Sequence, residues 1–538
     1  MHCILRFLLL NPLENSYYFV LKCTYELTFM YIWKRRCQVA RKSSLPEEVT
    51  RYKPCKCARI RNDGGVYRVY KYSAVKLASG EWSSDYGYLI GKIIPGEGFF
   101  PNKRYQKELA EQNLKSFPDG ITDVAYGQYA LLLGITRDVR DKLKACFLPE
   151  RAAQIYCYAL ILCVNGFVHI DQVDDFYQES ILSLVYRKYS FKMGYTALSN
   201  LLHDLGSRGE PVRMFEQELI DSCSKNVAID GHVVRSCSLE NDLAEPGYKL
   251  SLLKAPQVNV LIAYDIKNRI PLMYRTYRGS SVDKKSVEDL LASRSFKDTK
   301  FMVDRGFFSD TVLKLMSKDG NCYIIPLTVS NKNVKRIKKT LQYTSGEFVY
   351  KTGRKDTARI IYYEEQIDND VRIIVYKDVD ENNSKRKSYQ QLMDMGENNY
   401  TQENYDKYCD WWGVYFLQTT SKDPAPVVYS DYKGRWSIET YNNYVKNDAD
   451  FNDLKIQDYY VQHGFDFIML VTGIIHEKLN EAVKRINKSS VSIFDVLIKA
   501  GHMRMVKREE NWQLHNTRTK DLALLEAMGF VPEKTYPL

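Results

Sequence analysis

The sequence predicts an α/β fold built around a sheet of mixed strand direction. Residues 227–231 form a short apolar run that ends in a carboxylate and a glycine, Val-Ala-Ile-Asp-Gly. Two more strand-like runs follow at 258–266 and 270–277, joined by a short turn. A helical pattern at 286–295 then leads to another apolar run at 300–304. Strands joined by short turns, then a helix, then a further strand fit such a mixed sheet.

Regions with different patterns of polar and apolar residues flank this core. Residues 66–72 alternate in polarity after the Gly64-Gly65 turn, which predicts β-hairpins. Between Asp123 and Cys223, apolar residues recur every three to four positions, as in helices. We expect six regions: a segment of uncertain order (1–58), a small basic β-hairpin module (59–122), a helical domain with possible DNA-end binding (123–224), a catalytic core (225–325 and 410–480), a β-rich basic insertion (326–409) and a C-terminal helical region (481–538).

Composition indicates a multidomain globular protein and is compatible with a polyanionic partner. The chain has 538 residues, of which 45% are hydrophobic and 27% charged, so disorder over most of its length is not expected. A formal net charge of +11 is compatible with DNA binding, although basic proteins need not bind nucleic acid. The apolar N-terminal stretches carry charges and fall short of the ~20 apolar residues that a membrane span requires, so no membrane association is expected. A start later than Met1 is one expectation for the first thirty or so residues, with Met30 as one candidate.

The cysteines do not form a recognisable metal site. Cys55 and Cys57 make a C-x-C pair, but no second pair of Cys or His follows at zinc-site spacing. The 12 cysteines are therefore expected to be free, reduced thiols of a cytoplasmic protein.

Asp230 and Asp304 share a sequence context that suggests metal chemistry. Each ends an apolar strand and is followed within two residues by a glycine. Carboxylates at strand ends can converge at one edge of a sheet and hold two Mg²⁺ or Mn²⁺ ions. Two such ions clamp the attacking and leaving oxygens of an in-line phosphoryl displacement. The alternative is that both are ordinary turn or strand-end residues.

A helix further along the chain supplies a third carboxylate. Tyr432, Arg435, Glu439 and Lys446 are three, four and seven residues apart, and these steps keep all four on one helix face. One carboxylate among a phenol and two cations can hold a metal and grip the neighbouring phosphates. The alternative is a surface helix with an Arg435–Glu439 ion pair.

These residues resemble a known family. The pattern Y-x2-R-x3-E-x6-K, complete at Tyr432, Arg435, Glu439 and Lys446, is similar to the signature of DDE transposases of bacterial insertion sequences, in the group called the insertion-sequence-four family. The segment 303–307 resembles that family's second-aspartate motif, and Asp230-Gly231 resembles the first. The resemblance covers about residues 225–480.

The resemblance implies a ribonuclease-H-like core and a DNA transposase. Asp230, Asp304 and Glu439 would be both catalytic and metal-binding, with two Mg²⁺ (or Mn²⁺) ions per active site. The partners would be double-stranded DNA, as terminal inverted repeats and target, and a second copy of the chain in a paired-end complex. Residues expected to contact DNA are Tyr432, Arg435, Lys446, Arg305 and Trp412.

Some expectations stay open at this level. Trp411, Trp412 and Tyr415 are candidates for stacking a flipped base, with core packing as the alternative. The function could instead be that of a ribonuclease-H-like nuclease that only hydrolyses DNA, or of a domesticated or inactive DNA-binding protein derived from a transposase. A bacterial or archaeal, nucleoid-associated location in the cytoplasm is expected for the transposase.

Overall fold

The computed structural model forms two compact units, residues 1–120 and 121–538. The residues it describes are 45–55, 58–76, 82–106, 122–207, 209–236, 238, 241–247, 256–281, 283–353, 356–448, 453–454, 456–486, 491–508, 511–515 and 517–537. The expectation for residues 1–30 lies outside them, as does most of the segment 1–58.

The first unit is a four-stranded antiparallel sheet preceded by one helical turn. Its elements are α1 (Glu47–Thr50), β1 (Ala58–Asp63), β2 (Val66–Lys76), β3 (Trp82–Ile94) and β4 (Gly98–Pro101), with strands in the order β1-β2-β3-β4. Gly64 and Gly65 make the first turn with φ of 64° and 93°, a backbone conformation that glycine adopts without steric cost. One face of the sheet packs on a small core that includes Val49, Val69 and Ile90. The predicted β-hairpins are therefore present in this unit.

The second unit begins with a short strand and seven helices. These are β5 (Asp123–Ala125), α2 (Gly127–Ile135), α3 (Arg137–Cys146), α4 (Pro149–Asn165), α5 (Val173–Gln178), α6 (Ile181–Val185), α7 (Tyr195–Ser207) and α8 (Glu210–Ser222). Helix α4 starts with Pro149, whose fixed φ suits the first turn, and is buried almost along its whole length. The segment predicted as helical thus consists mainly of helices around α4.

A mixed sheet follows, as the sequence predicts. Its first part comprises β6 (Asn226–Ser236), β7 (Glu245–Pro246), β8 (Pro256–Asp265), β9 (Ile270–Arg278), α9 (Asp283–Ser293), β10 (Lys300–Val303), α10 (Asp310–Leu315) and β11 (Cys322–Pro326). Strands β6, β8 and β9 are antiparallel neighbours, whereas β10 and β11 run parallel to β6 on its other side. This arrangement is compatible with a ribonuclease-H-like core.

The segment predicted as a β-rich insertion extends the same sheet. It contributes α11 (Lys332–Thr340), β12 (Gly346–Lys351), β13 (Thr357–Gln366), β14 (Arg372–Asp378), α12 (Val379–Asp394) and α13 (Gln402–Tyr408) before β15 (Val414–Thr419). Strand β15 pairs with β11 on one side and β14 on the other, so β12–β14 continue the core sheet. The basic clusters 335–339 and 385–387 lie on helices α11 and α12, so β-rich describes only half of this segment.

The chain then returns to the core with a nearly continuous helical stretch. It consists of α14 (Ala425–Gly434), α15 (Trp436–Asn443) and one π-helical turn (Tyr444–Asp448), followed by β16 (Asp453–Leu454) and α16 (Tyr459–Arg485). The helix predicted from Lys433 to Lys446 therefore starts earlier and ends in a π turn. Helix α16 is buried along most of its length. Within the described part of the chain, we find no helix with both the length and the apolarity that a bilayer crossing requires.

The C-terminal region differs from the helical one that the sequence predicts. Besides α17 (Ile493–Gly501) and α18 (Thr519–Ala527), it contains β17 (Arg504–Lys507), β18 (Asn511–His515) and β19 (Thr535–Pro537). These strands form a sheet with β5, in the order β19-β18-β17-β5. The pairing of β17 with β5 joins the two ends of the second unit, a contact between residues about 380 apart that local pattern cannot reveal.

Candidate active site

Strands β6 and β10 bring two aspartates to the same level of the sheet. The strands are parallel neighbours, with Ile229 opposite Val303, and the next residues are Asp230 and Asp304. Adjacent strands lie about 4.8 Å apart, so the two carboxylates begin from neighbouring positions. Their convergence follows from the register, because the apolar residues before each aspartate pair with each other in the core.

The sheet opens at Asp230. On the β10 side, β6 pairs with β10 up to Ile229 and with β16 from Arg235 onward. Between these points β6 has no strand neighbour on that side among the described residues. A Cβ on Gly231 would lie 2.7 Å from Leu261 Cδ2, which is too close for a larger residue at this position. Packing against the neighbouring strand therefore favours the glycine that follows Asp230.

Helix α15 is tied to this opening by a hydrogen bond. Asn442 Nδ2 donates to Asp230 Oδ2 over 2.8 Å. Asn442 is only 5% exposed, and its Oδ1 has no hydrogen-bond partner in the part of the chain that is described. Because Asn442 is three residues after Glu439, both lie on the same side of α15. The amide thus fixes the helix that carries the third carboxylate against the strand that carries the first.

Arg435 stands at the junction of α14 and α15 and contacts the signature residues on either side. Its backbone is helical, so the helix direction continues across the junction. Arg435 Nη2 donates to Glu439 Oε1 over 2.7 Å, and the guanidinium carbon lies 5.8 Å from the Tyr432 ring centroid. The helix face predicted for Tyr432, Arg435 and Glu439 is compatible with these contacts. Lys446 is half-buried and lies in the π turn. The step of 3.6 residues per turn does not hold there, so helix spacing alone does not place Lys446 on the same face.

Electrostatics indicates that the three carboxylates are close together. Burial raises the pKa of Asp230, and the carboxylates of Asp304 and Glu439 add to this, while the Gly231 amide and Arg435 oppose it. Burial also raises the pKa of Tyr432, again with Asp304 and Glu439 adding and Arg435 opposing. The charges of Asp304, Glu439 and Arg435 therefore act on both Asp230 and Tyr432. Arg435 is the cation that faces this concentration of negative charge.

The donor set fits a hard divalent cation. Three carboxylates offer only oxygen ligands, which Mg²⁺ and Mn²⁺ prefer. Burial and the two neighbouring carboxylates raise the pKa of Asp230, and a bound cation would favour its charged form. Within the described ranges, no three His, Cys, Asp or Glu side chains are grouped closely enough to form a ready-made metal cluster. Glu439, engaged by Arg435, would turn from that partner to share an ion with the aspartates.

The remaining predicted residues are placed differently. Arg305 follows Asp304 in a 3-10 turn and is exposed. Trp412 lies in an aromatic cluster with Tyr389 and Tyr405, at 5.1 and 5.6 Å between ring centroids, and these contacts do not involve the carboxylates. Trp411 packs against the core of the same segment. Tyr415 donates to Glu381 over 2.6 Å.

Two residues near the site were not identified from sequence. Asn442 could have been, since it sits one turn after Glu439. Lys300 could not: its Nζ lies 2.5 Å from Asp431 Oδ2 and 2.5 Å from Asp423 Oδ2, and so ties the start of β10 to α14. A lysine at a strand start carries no local signal of a partner more than 120 residues away.

Comparison with known proteins identifies a domain that contains the site. Residues 221–472, slightly less than half of the chain, match the family model described as Transposase DDE domain, and this range includes all three carboxylates. No curated protein matches the sequence. Among solved structures, the cryo-EM structure of the piggyBac transposase synaptic complex with hairpin DNA is similar at a TM-score of 0.32 and 11% identity, over 71% of this chain and 73% of that one. The family match supports a DDE transposase.

Proposed function

We propose that the protein is a DNA transposase that binds terminal inverted repeats and carries out cleavage and strand transfer by two-metal phosphoryl transfer. The observation that carries the proposal is the juxtaposition of Asp230 and Asp304 on neighbouring parallel strands, with Glu439 on a helix tied to Asp230 through Asn442. The match of this region to a transposase DDE domain supports it. The closer assignment to the insertion-sequence-four group rests on the sequence signature alone.

In this proposal the three carboxylates hold the metal. Asp230, Asp304 and Glu439 would hold the ions, with Asp230 on a strand that neighbours β10 and is hydrogen-bonded to α15. Divalent ions bound here would supply the positive charge that stabilises attacking and leaving oxygens at the phosphodiester. Arg435, which donates to Glu439 through Nη2, would also pair with a phosphate of the bound DNA. Tyr432, next to it, would position the same phosphate.

The partners are double-stranded DNA and a second copy of the chain. Basic residues on α11 and α12, together with Arg305, Lys446 and Trp412, are the proposed DNA contacts outside the carboxylate cluster. Each element end would be cut in a paired complex of two subunits. A cytoplasmic, nucleoid-associated site of action in a bacterium or archaeon stays a prediction.

The test is a reconstituted reaction with the inverted repeats that flank the gene. We expect cleavage at the ends in Mg²⁺ or Mn²⁺, none in EDTA, and joining of precut ends to plasmid DNA. Cleavage without joined products would favour a ribonuclease-H-like nuclease. Specific binding of the repeats without cleavage in either metal would instead identify an inactive or domesticated DNA-binding protein.

A further inference from the structure

The four-stranded sheet of the first unit has one packed face and one exposed face. Val69, Ile90 and Ile93 point into its core. Directly opposite residues on neighbouring antiparallel strands point to the same face of a sheet. The residues that alternate with this core therefore form the outer face.

A row of cations crosses this outer face. Arg61 on β1 is opposite Arg68 on β2, Arg68 is opposite Lys92 on β3, and Lys92 is opposite Phe100 on β4. The side chains of Arg61 and Arg68 are 72% and 50% exposed, and Phe100 is 42% exposed. We call Arg61, Arg68 and Lys92 the basic row.

The basic row is not neutralised within the sheet. Asp63 lies 3.1 Å from Arg61 and 3.5 Å from Arg68, so one carboxylate serves two guanidiniums. No described carboxylate lies within ion-pair distance of Lys92. Like charges directly opposite one another destabilise a sheet. A polyanion laid across the strands would remove this repulsion.

We propose that the basic row binds the phosphate backbone of double-stranded DNA, as a second DNA contact outside the catalytic unit. The proposal rests on the proposed function, which supplies duplex DNA as the polyanion. Neighbouring strands are about 4.8 Å apart, so the three cations span about 10 Å and can follow successive phosphates. Arginine and lysine read phosphates without base specificity, so this face adds affinity rather than sequence recognition.

The experiment measures binding of the full-length protein to duplex DNA that carries the element ends, over a range of salt concentrations. The test variant is Arg68→Ala/Lys92→Ala. Its matched control is Lys53→Ala/Lys103→Ala, which removes the same charge from exposed positions of the same unit outside the row. We expect the test variant to bind at least about tenfold more weakly at 150 mM salt and to lower the slope of log K against log salt by about one unit per cation. The control variant should keep the slope close to wild type.

A charge-conserving variant separates binding from folding. Arg68→Lys/Lys92→Arg should retain the salt slope, while circular dichroism should be the same for all variants. Equal losses in the test and control variants, or a wild-type slope in the test variant, would overturn the proposal. So would a loss confined to single-stranded DNA or RNA. If the wild-type protein neither binds nor cuts the ends, the proposed function fails; if it cuts them and the row variant binds normally, only this inference fails.

Discussion

The candidate active site and a second charged cluster in the same unit both bring carboxylates next to arginines. They differ in charge balance, because carboxylates outnumber arginines at the first and equal them at the second. At the active site, Asp230, Asp304 and Glu439 face Arg435. The second cluster, which we call the Glu216 cluster, consists of Glu216 and Asp466 with Arg275 and Arg294. Its two carboxylates are matched by two guanidiniums.

The members of the Glu216 cluster pair with one another, although Arg294 Nε is buried without a hydrogen-bond partner among the described residues. Arg294 donates to Glu216, and Arg275 lies 3.6 Å from the same carboxylate oxygen. Asp466 accepts from the backbone amide and hydroxyl of Thr276 at 2.8 and 2.6 Å. Burial raises the pKa of Glu216, and the two arginines oppose that shift. The cluster therefore joins α8, β9 and α16 without needing a further ion.

The contrast shows how charge balance separates a structural ion cluster from a binding site. A balanced, hydrogen-bonded cluster holds elements together, and removing one member leaves the others uncompensated. An excess of carboxylates costs stability in the free protein and is relieved when a cation binds. The following variants test the contrast from its largest expected effect to its smallest.

Alanine at any of the three active-site carboxylates should have the largest effect. We expect Asp304→Ala, Asp230→Ala and Glu439→Ala to lower the cleavage rate by about 10³-fold or more, because each removes a metal ligand. Binding of the element ends should be largely retained in a gel-shift assay. Near-wild-type cleavage in Mg²⁺ by any of the three would contradict the assignment.

Breaking the Glu216 cluster should reduce stability instead. Glu216→Ala leaves Arg294, whose side chain is 5% exposed, without its carboxylate, and should lower the free energy of unfolding by about 3–5 kcal/mol. Glu218→Ala is the control on the same helix, since its pair with Lys142 is partly exposed and should contribute at most about 1 kcal/mol. Urea denaturation measures both, and equal losses would show that the cluster is not structural.

Loss of the Asn442 amide should weaken the metal site. Asn442→Ala frees Asp230 from its hydrogen bond, and changes of this kind cost about 10–100-fold in metal affinity. Calorimetric titration with Mn²⁺ measures that affinity independently of cleavage. Thr440→Ala, an exposed position on the same helix, should bind Mn²⁺ like wild type. An unchanged Mn²⁺ affinity in Asn442→Ala would mean that Asn442 contributes only to the packing of the helix.

Removing the charge of Asp230 should have the smallest effect on the free energy of unfolding. The sign of this effect should be opposite to that of the Glu216 variant. In EDTA, Asp230→Asn should leave the free energy of unfolding unchanged or raise it by up to about 1 kcal/mol, because a buried charge repelled by two carboxylates is lost. Adding Mg²⁺ should raise the melting temperature of the wild type and not that of the variant. A clear loss of stability in EDTA would mean that the site is balanced without a metal.

Local pattern was sufficient for the core strands that carry Asp230 and Asp304 and for the contacts along one helix face. The apolar runs before Asp230 and Asp304 are buried in neighbouring strands, because a buried strand needs continuous apolar sequence on both faces. The spacing of Tyr432, Arg435 and Glu439 predicted contacts along one helix face, since those contacts depend only on helix geometry. The pattern was less informative for the insertion, whose charge runs fold as amphipathic helices rather than strands.

The sequence pattern predicted the apolar runs before Asp230 and Asp304, the residues that share one helix face and the transposase signature, because each depends on one or two helical turns or a single strand. The prediction that Asp230 ends its strand was wrong, since β6 continues to Ser236. Only the tertiary structure decided that the opening in β6 lies at Asp230, that Asn442 closes on it from a helix 212 residues away, and that β17 returns to pair with β5. These contacts depend on strand register and on packing between distant segments. Asp230 thereby has a defined place in the sheet, and Asn442 is a further residue that holds it.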